Sequence, residues 1–295
     1  MLKKFFNLIS LFIISFLITA CSTQINSNDL RVDIIDVGQG DSSLIMTPDN
    51  RNILIDTGEE EFSRSVIRDL KKNHIKKIDM LIGTHSDSDH IGAAEDIINE
   101  VKTDEVILSE DKNIKPALKS IINLARNGKT KIVLTKKDQV FNIDNRTKIL
   151  ILSPEKVTDD PNKNSIVCLV SFDKYRLIFT GDADSEIEKQ IIKDYNLPHC
   201  DFLKVGHHGS KTSSSEEFIR TISPTIASIS CGYKNRYGHP SKQTLETLTK
   251  YNCNIYRTDK LGTLKFYFGP NGIFYYRNWK RRWYKNHLRF YILCK

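Results

Sequence analysis

Residues 80–92 read MLIGTHSDSDHIG: an apolar, strand-like run is followed at once by two histidines and two aspartates within six residues. Buried carboxylates need a counter-charge, because an unpaired charge is costly to remove from water, and a divalent cation supplies it. In an extended stretch His85 and Asp87 project to one side, whereas Asp89 and His90 begin a helix and point to a second position nearby. The segment therefore predicts two adjacent metal positions, the arrangement in which two ions about 3.5–4 Å apart clamp a phosphoryl or carbonyl group.

Two further polar clusters follow strand-like runs later in the chain. Thr180-Gly181-Asp182 ends the run RLIFT (176–180). The glycine lets the backbone turn sharply and presents one carboxylate inward, as a ligand shared by two cations requires. The sequence GHHGS (206–210) follows DFLKV (201–205). Because adjacent histidines point in different directions, we expect only one of His207 and His208 to reach the same metals.

Structural interpretations compete with these chemical ones. Residues 85–90 also fit a solvated turn in which an aspartate caps the following helix, and Asp89 is able to cap and bind a metal at once. The segments DVGQGD (36–41) and DTG (56–58) combine aspartate with glycine as well. We interpret both mainly as scaffolding around the site, with the glycines in tight turns.

Apolar periodicity along the rest of the chain alternates between strands and amphipathic helices. Beyond the runs already named, strand-like stretches cover residues 31–37, 42–47, 52–56, 106–109, 132–135, 148–152, 165–172, 225–229 and, as the closing strand, 262–268. Helical spacing follows most of them. Two successive halves of hairpins and helices predict an α/β fold, a four-layer αββα sandwich in a single domain.

Composition narrows the class of protein. The chain has 295 residues, of which 39% are hydrophobic, and this excludes disordered, collagen-like and disulfide-scaffold proteins. None of the cysteines has C-x-x-C spacing, which argues against a zinc ribbon or a thioredoxin-like site. The formal net charge is +8, but the excess lies at the ends. Residues 275–295 carry seven Lys and Arg without an acid, so the body of the chain is close to neutral.

Both ends read as segments outside the folded domain. Residues 1–20 join two lysines to an apolar run too short to span a bilayer, which predicts a signal peptide. Ile18-Thr19-Ala20-Cys21 resembles the lipobox of bacterial lipoproteins, although an ordinary cleaved signal remains the alternative. A lipidated Cys21 implies an exported protein anchored to the outer face of the cytoplasmic membrane. We expect a polar tether over 21–30, the domain over 31–270 and a basic aromatic tail over 271–295.

The composition of that tail suits two partners. Its lysines and arginines alternate with tryptophan and tyrosine around residues 279–285. Such a sequence fits single-stranded nucleic acid, because cations contact phosphates while rings stack on bases. It fits an anionic membrane surface equally well.

The motifs together resemble a known family. DVGQGDSSLI, ILIDTG, THSDSDHIG, LIFTGDAD, KVGHHGSKTSS and YGHPS occur in the order seen in the metallo-β-lactamase superfamily, and most closely in the hydrolase domain of ComEC-type competence DNA-uptake proteins. The resemblance runs from about Arg31 to Phe268 and implies a hydrolase with two divalent ions, zinc or manganese. It implies that one metal is held by His85 and Asp87, the other by Asp89 and His90, with Asp182 between them. One of His207 and His208 completes the second position, and His207 is slightly favoured.

This chain departs from the superfamily pattern in two places. Asp87 stands where the superfamily usually has histidine, and residues 161–165 (PNKNS) lack the histidine common there. The first position is therefore oxygen-rich, which weakens the preference for zinc and admits manganese. Asn164 either lines the site or serves a turn. No series of membrane-spanning apolar segments follows residue 20, so we expect a stand-alone tethered domain rather than a channel.

The expected activity is metal-dependent hydrolysis of a phosphodiester, with DNA as the substrate and competence as the context. The expected catalytic residues are Asp89, Lys211 and His239. Lys211 is positioned to approach a phosphate oxygen, and His239 suits leaving-group protonation or phosphate contact. Their structural alternatives are a solvated lysine and a turn histidine.

Two other functions stay open. The same site could act on a small phosphoester, an envelope phosphocholine group or an amide such as a β-lactam, although Asp87 and the missing histidine disfavour the last. A non-catalytic binding lipoprotein is the other, and the complete motifs argue against it.

Overall fold

The computed structural model describes residues 27–276, so the predicted signal peptide, most of the tether and the tail beyond Tyr276 lie outside the described residues. The strands are β1 (Leu30–Ile34), β2 (Ser43–Met46), β3 (Asn52–Ile55), β4 (Lys77–Gly83), β5 (Lys102–Ser109), β6 (Lys131–Thr135), β7 (Val140–Asn142), β8 (Thr147–Ser153), β9 (Val167–Phe172), β10 (Tyr175–Phe179), β11 (Phe202–Lys204), β12 (Ile226–Ile229), β13 (Asn254–Arg257), β14 (Leu264–Gly269) and β15 (Gly272–Tyr276). The helices are α1 (Ser63–Lys72), α2 (Ser88–Ile91), α3 (Ala94–Glu100), α4 (Pro116–Arg126), α5 (Ser185–Asp194), α6 (Glu216–Ile222), α7 (Lys242–Lys250) and α8 (Thr258–Leu261). Within these residues, no helix has the length and apolarity needed to cross a membrane.

The strands form two mixed sheets. The first has eight strands in the order β15-β14-β1-β2-β3-β4-β5-β6, and the second has seven in the order β13-β12-β11-β10-β9-β8-β7. From β3 to β6 the neighbours in the first sheet are parallel, and so are those from β10 to β13 in the second. Parallel neighbours bring their carboxyl ends to a common edge, so each sheet gathers several loops at one rim.

Three apolar layers hold the sheets and helices together. Alternation along β3 is typical: Ile53 and Ile55 face the layer between the two sheets, whereas Leu54 faces the helices. Helices α1, α3 and α4 cover the first sheet through residues such as Leu70 and Ile97. Helices α5, α6 and α7 cover the second sheet. The predicted four-layer αββα sandwich is therefore confirmed.

Three strands were absent from the sequence-based prediction, and all three lie at sheet edges. β7, β13 and β15 are each paired on one side only, and most of their residues are half-buried or exposed. Such strands lack a clean alternation of apolar and polar residues, which is the signal that predicts a strand. The prediction that residues 262–268 close the fold was wrong, because Pro270-Asn271 turns the chain into β15. The folded unit thus begins at Leu30 and runs past position 270.

The rim of the sandwich joins the segments with polar clusters. The backbone of Ile166 donates to the carbonyl of Thr84 (2.7 Å), and that of His207 donates to the carbonyl of Gly181 (3.0 Å). Gly181 has a φ of +51°, and a Cβ there would lie 2.9 Å from the Thr84 side chain. Only glycine allows both the left-handed backbone and this close approach, so it seats the Asp182 turn against the end of β4.

Candidate metal centre

Three buried side chains from two loops converge at the rim. His85 and His90 follow β4, Asp182 follows β10, and each is less than 5% exposed. One nitrogen or oxygen from each of the three lies within 4.8 Å of the others. The shortest separation is 3.1 Å, between Nε2 of His90 and Oδ1 of Asp182. The loop after β4 and the turn after β10 therefore meet as the sequence predicts.

The unpaired atoms of these side chains fit a cation. Nε2 of His85, Nε2 of His90 and Oδ1 of Asp182 are buried and make no hydrogen bond. Nε2 of His90 and Oδ1 of Asp182 face only each other, at 3.1 Å, and Nε2 of His85 has no partner. A buried polar atom without a partner costs about 1–3 kcal/mol, so a cation that bound all three would be favourable. Imidazole nitrogen and carboxylate oxygen are ligands that zinc and manganese accept. The donor set is therefore suited to a divalent ion.

A second group shares His90 and includes His208. Asp89, His90 and His208 also present atoms within 4.8 Å of one another. Nε2 of His208 lies 3.1 Å from Oδ2 of Asp89, and the His208 side chain is 2% exposed. His207 is a quarter exposed, and its Nε2 lies 3.5 Å from Oδ2 of Asp182. The geometry thus favours His208, rather than the sequence-favoured His207, beside Asp89.

The two histidines of the GHHGS turn occupy strained backbone. His207 and His208 have φ values of 48° and 54°, in the left-handed region that few residues other than glycine adopt. Consecutive left-handed residues change the direction of the chain sharply. The result is that the two rings stand at 74° to each other and reach different parts of the rim.

His90 is oriented by a carboxylate behind it. Its Nδ1 lies 2.9 Å from Oδ2 of Asp56, which follows β3. Asp56 also accepts hydrogen bonds from the backbone and the hydroxyl of Thr84. Because Nδ1 is occupied by Asp56, the Nε2 atom is directed into the site, as in metal centres whose histidines bind an outer carboxylate.

His208 is also oriented by a carboxylate, which is itself part of a buried ion pair. Its Nδ1 lies 3.3 Å from Oδ1 of Asp41 and 3.2 Å from the carbonyl of Ser230. Asp41 in turn pairs with Lys204 at 2.6 Å, and both side chains are at most 4% exposed. Sequence analysis assigned the Asp41 and Asp56 segments to scaffolding and gave Lys204 no role. A lysine inside the apolar run DFLKV was the signal, since a buried ammonium needs a carboxylate partner.

The β1–β2 loop reaches this cluster through a close backbone approach. The backbone N–H of Asp41 donates to the carbonyl of Asp89 at 3.0 Å. A Cβ on Gly40 would lie 2.6 Å from that same oxygen, so a side chain at position 40 would push the loop away. The glycine therefore allows Asp41 to approach both Asp89 and His208.

Charges in the cluster shift the pKa values of its members strongly. Burial lowers the pKa of His90, but the carboxylates of Asp182 and Asp56 outweigh it and hold that pKa well above the usual value. His208 behaves likewise: Asp182 and Asp41 overcome burial and raise its pKa to about 10. Burial raises the pKa of Asp182, yet His90 and His208 bring it well below the usual value. His85 has a lowered pKa, through burial and the nearby His90.

These shifts predict proton release when a metal binds. Metal binding requires neutral imidazole, and the raised pKa values of His90 and His208 favour the protonated form in the metal-free chain. We expect zinc binding to release about two protons, and its apparent affinity to rise by roughly 100-fold per pH unit near neutrality. Calorimetric titrations in buffers of different ionisation enthalpy measure this number. Release of less than about half a proton would contradict the assignment of both histidines.

Asp87 lies at the more open side of the cluster. Its Oδ2 is 3.9 Å from Nε2 of His85, and its Oδ1 contacts Nζ of Lys115, which directly precedes α4. Sequence analysis did not foresee this lysine. Helix α2 begins after Asp87, and no side chain caps it. The capping role considered for Asp89 is therefore wrong, and its carboxylate is free to face His208 instead.

The remaining predicted residues divide between the site and its surroundings. The His239 ring lies 5.8 Å from that of His207 and 6.4 Å from that of His208, so it borders the cluster. Its Nδ1 has no hydrogen-bond partner, and burial together with His208 and His207 lowers its pKa. Lys211 is exposed on the turn beyond the histidines.

Asn164 has the turn role, and its neighbour Ser165 borders the site. The Asn164 side chain exchanges hydrogen bonds with the backbone of Thr158, which fixes the loop before β9. The Ser165 hydroxyl accepts a hydrogen bond from the backbone of Asp182 and lies 3.5 Å from Nδ1 of His85. Sequence reasoning missed this serine because nothing distinguishes it from any other loop serine.

Comparisons with known proteins agree with this fold. A sequence profile of the Metallo-beta-lactamase superfamily matches residues 35–233. ComE operon protein 3 of Bacillus subtilis is 35% identical over 81% of this chain, and Competence protein ComA of Neisseria gonorrhoeae is 28% identical over 83%. The chain spans 33% of the length of each of these relatives.

Solved structures lead to the same fold. The metallo-beta-lactamase fold protein YhfI from Bacillus subtilis superposes with a TM-score of 0.52 at 12% identity, covering 77% of this chain and 96% of that one. At this identity the similarity concerns the fold alone. Together with the profile match and the competence-protein relatives, it confirms the resemblance read from the motifs. The chain belongs to the metallo-β-lactamase superfamily, with competence-type proteins among its relatives.

Proposed function

We propose that this superfamily hydrolase is a phosphodiesterase that acts on DNA with two divalent ions, zinc or manganese. The observation that carries the proposal is that two of the three donor groups containing His90 lie side by side, the third being formed with the supporting carboxylates Asp41 and Asp56. His85 and Asp182 belong to the first group, and Asp89 and His208 to the second. Because Asp56 occupies its Nδ1, His90 has one free ring nitrogen and would bind only one of the two ions. Two ions held by these groups would activate water and neutralise charge on a phosphoryl group. The names of the competence-protein relatives support DNA as the substrate.

The chain's own residues supply orientation and a proton donor. Asp56 and Asp41 fix the rings of His90 and His208, so the donor atoms need no rearrangement to bind. His239 has a lowered pKa and is neutral at pH 7, so one of its ring nitrogens carries a proton. A neutral imidazole bordering the cluster suits a hydrogen bond to a phosphate oxygen better than full proton transfer. Lys211 is exposed on the turn after the histidines, so a contact with a phosphate oxygen of the substrate stays a prediction.

The proposal is tested by substrate choice. We expect the purified chain with manganese or zinc to cleave a labelled DNA oligonucleotide and bis(p-nitrophenyl) phosphate, and excess chelator to abolish both activities. His85→Ala should lower both rates by at least about 100-fold, because it removes a donor from the first group. His74→Asn is the matched control, since His74 is exposed on a left-handed turn that asparagine tolerates. Hydrolysis of a chromogenic cephalosporin without diester cleavage would contradict the proposal.

We also propose that the protein is exported and held at the outer face of the cytoplasmic membrane through Cys21. The support is the sequence Ile18-Thr19-Ala20-Cys21 after a short apolar run. Metabolic labelling with palmitate should mark the unmodified chain and leave Cys21→Ser unlabelled. Equal labelling of both, or of neither, would contradict lipidation at this residue.

A further inference from the structure

The loop between β12 and α7 presents an unusual surface beside the metal centre. Tyr233 and Tyr237 are 73% and 56% exposed, and both belong to the small set of large apolar or aromatic side chains that are exposed within residues 27–276. Lys234 and Arg236 alternate with them and are exposed as well. No acidic residue occurs between positions 230 and 241. We call residues 233–237 the tyrosine loop.

One half-buried side chain fixes the shape of the tyrosine loop. Asn235 donates from Nδ2 to the carbonyls of Gly232 (2.9 Å) and His239 (2.6 Å). Its Oδ1 accepts from the backbone N–H groups of Tyr237 (3.2 Å) and His239 (3.0 Å). Exposed rings on a backbone that is already ordered lose less entropy when a ligand binds. The hydrogen bonds of Asn235 therefore order the loop backbone that carries both tyrosines before a ligand binds.

The tyrosine loop continues directly into the candidate centre. The rings of Tyr237 and His239 lie 5.8 Å apart at 24°, and those of His239 and His208 lie 6.4 Å apart at 27°. Three nearly parallel rings thus lead from the surface to a predicted metal ligand. The Arg236 guanidinium lies 5.0 Å from the Tyr237 ring, and its charge interacts favourably with the carboxylate of Glu59. Lys234 lies 5.4 Å from the Tyr233 ring.

We propose that the tyrosine loop is a platform on which unpaired bases stack next to the phosphate to be cleaved, so that the substrate is single-stranded nucleic acid. The inference rests on the proposed function and narrows its substrate. Every base has a π-face that an exposed tyrosine can cover, and the alternating cations meet the phosphates between successive bases. In a duplex those faces are already stacked on one another. An anionic membrane suits the same composition, but the ring series leading to His208 favours nucleic acid.

Binding of an uncleavable strand tests the platform separately from catalysis. The probe is a fluorescent 12-nucleotide single strand with phosphorothioate linkages, measured by anisotropy with the full-length chain in the presence of zinc. Tyr233→Ala and Tyr237→Ala should each weaken binding by roughly 5- to 150-fold. Tyr233→Phe and Tyr237→Phe keep the ring and should stay within about threefold. Leu134→Ala is the control, because Leu134 is 57% exposed on β6, an edge strand of the first sheet.

The possible outcomes separate this inference from the proposed function. The duplex of the same sequence should bind more weakly than the single strand and should be insensitive to both alanine changes. Equal binding of the alanine variants and the unmodified chain, no binding of the strand, or tighter binding of the duplex would each overturn the platform. So would tyrosine-dependent binding confined to phosphatidylglycerol vesicles. Failure of the unmodified chain to cleave bis(p-nitrophenyl) phosphate would instead contradict the proposed function, whatever the strand does.

Discussion

Replacing Asp182 with alanine is expected to lower phosphodiester cleavage by at least about 1000-fold. Its carboxylate lies close to two histidines: Oδ1 is 3.1 Å from Nε2 of His90, and Oδ2 is 3.5 Å from Nε2 of His207. Within residues 27–276, Asp182 is the one carboxylate whose donor group contains both His85 and His90, so we expect no other side chain to replace it. The measurement is kcat/KM for bis(p-nitrophenyl) phosphate at saturating manganese or zinc.

Thermal unfolding distinguishes a lost site from a lost fold in this variant. Metal should raise the melting temperature of the unmodified chain, because a ligand that binds only the folded state stabilises it. The same addition should leave Asp182→Ala nearly unchanged. Asp159→Ala is the control, since that side chain is 86% exposed and lies away from the cluster. Activity in Asp182→Ala within about tenfold of the unmodified chain would remove Asp182 from the proposed centre.

Asp41→Ala is expected to lower the free energy of unfolding by about 3–5 kcal/mol. The change leaves the ammonium of Lys204 buried without its carboxylate partner, at a position where the lysine side chain is 3% exposed. Removing one member of a buried ion pair costs more than the pair contributes, because the remaining charge stays desolvated. Urea denaturation followed by circular dichroism measures the loss. The exposed neighbour Asp36 provides the control, and Asp36→Ala should change the stability by less than about 0.5 kcal/mol.

A double replacement separates the stability of this ion pair from its effect on the site. Asp41→Leu with Lys204→Met removes both charges, and the stability should return to within about 2 kcal/mol of the unmodified chain. Metal affinity should remain about 10- to 100-fold weaker, because Nδ1 of His208 has lost its carboxylate partner. Full recovery of metal affinity together with stability would mean that Asp41 does not orient His208.

Sequence predicted the layers and the rim because both depend on local patterns. β4 and β10 end in apolar runs, and parallel neighbours bring the loops that follow such strands to one rim of each sheet. The two rims meet because the sheets pack face to face. The choice between His207 and His208 could not be made in the same way. It depends on two left-handed residues whose ring directions no periodicity encodes. The Asp41–Lys204 pair joins residues 163 positions apart and required the folded structure.

The edge strands and the tyrosine loop were not predicted from the sequence, and the reasons are related. β7, β13 and β15 are half-exposed, so packing imposes no regular alternation on their sequences. Sequence analysis gave Tyr233 no role and quoted Tyr237 only as part of YGHPS (237–241). Their meaning depends on where Asn235 holds the loop relative to His239 and His208, which is a tertiary property.

The metal content of the chain tests the central claim most directly. After incubation with zinc or manganese and removal of unbound metal, elemental analysis should find two ions per unmodified chain. Asp182→Ala should retain fewer, and Asp159→Ala should retain two. Fewer than about one ion per unmodified chain, or equal metal content in the unmodified chain and Asp182→Ala, would contradict a paired-ion centre formed by these residues.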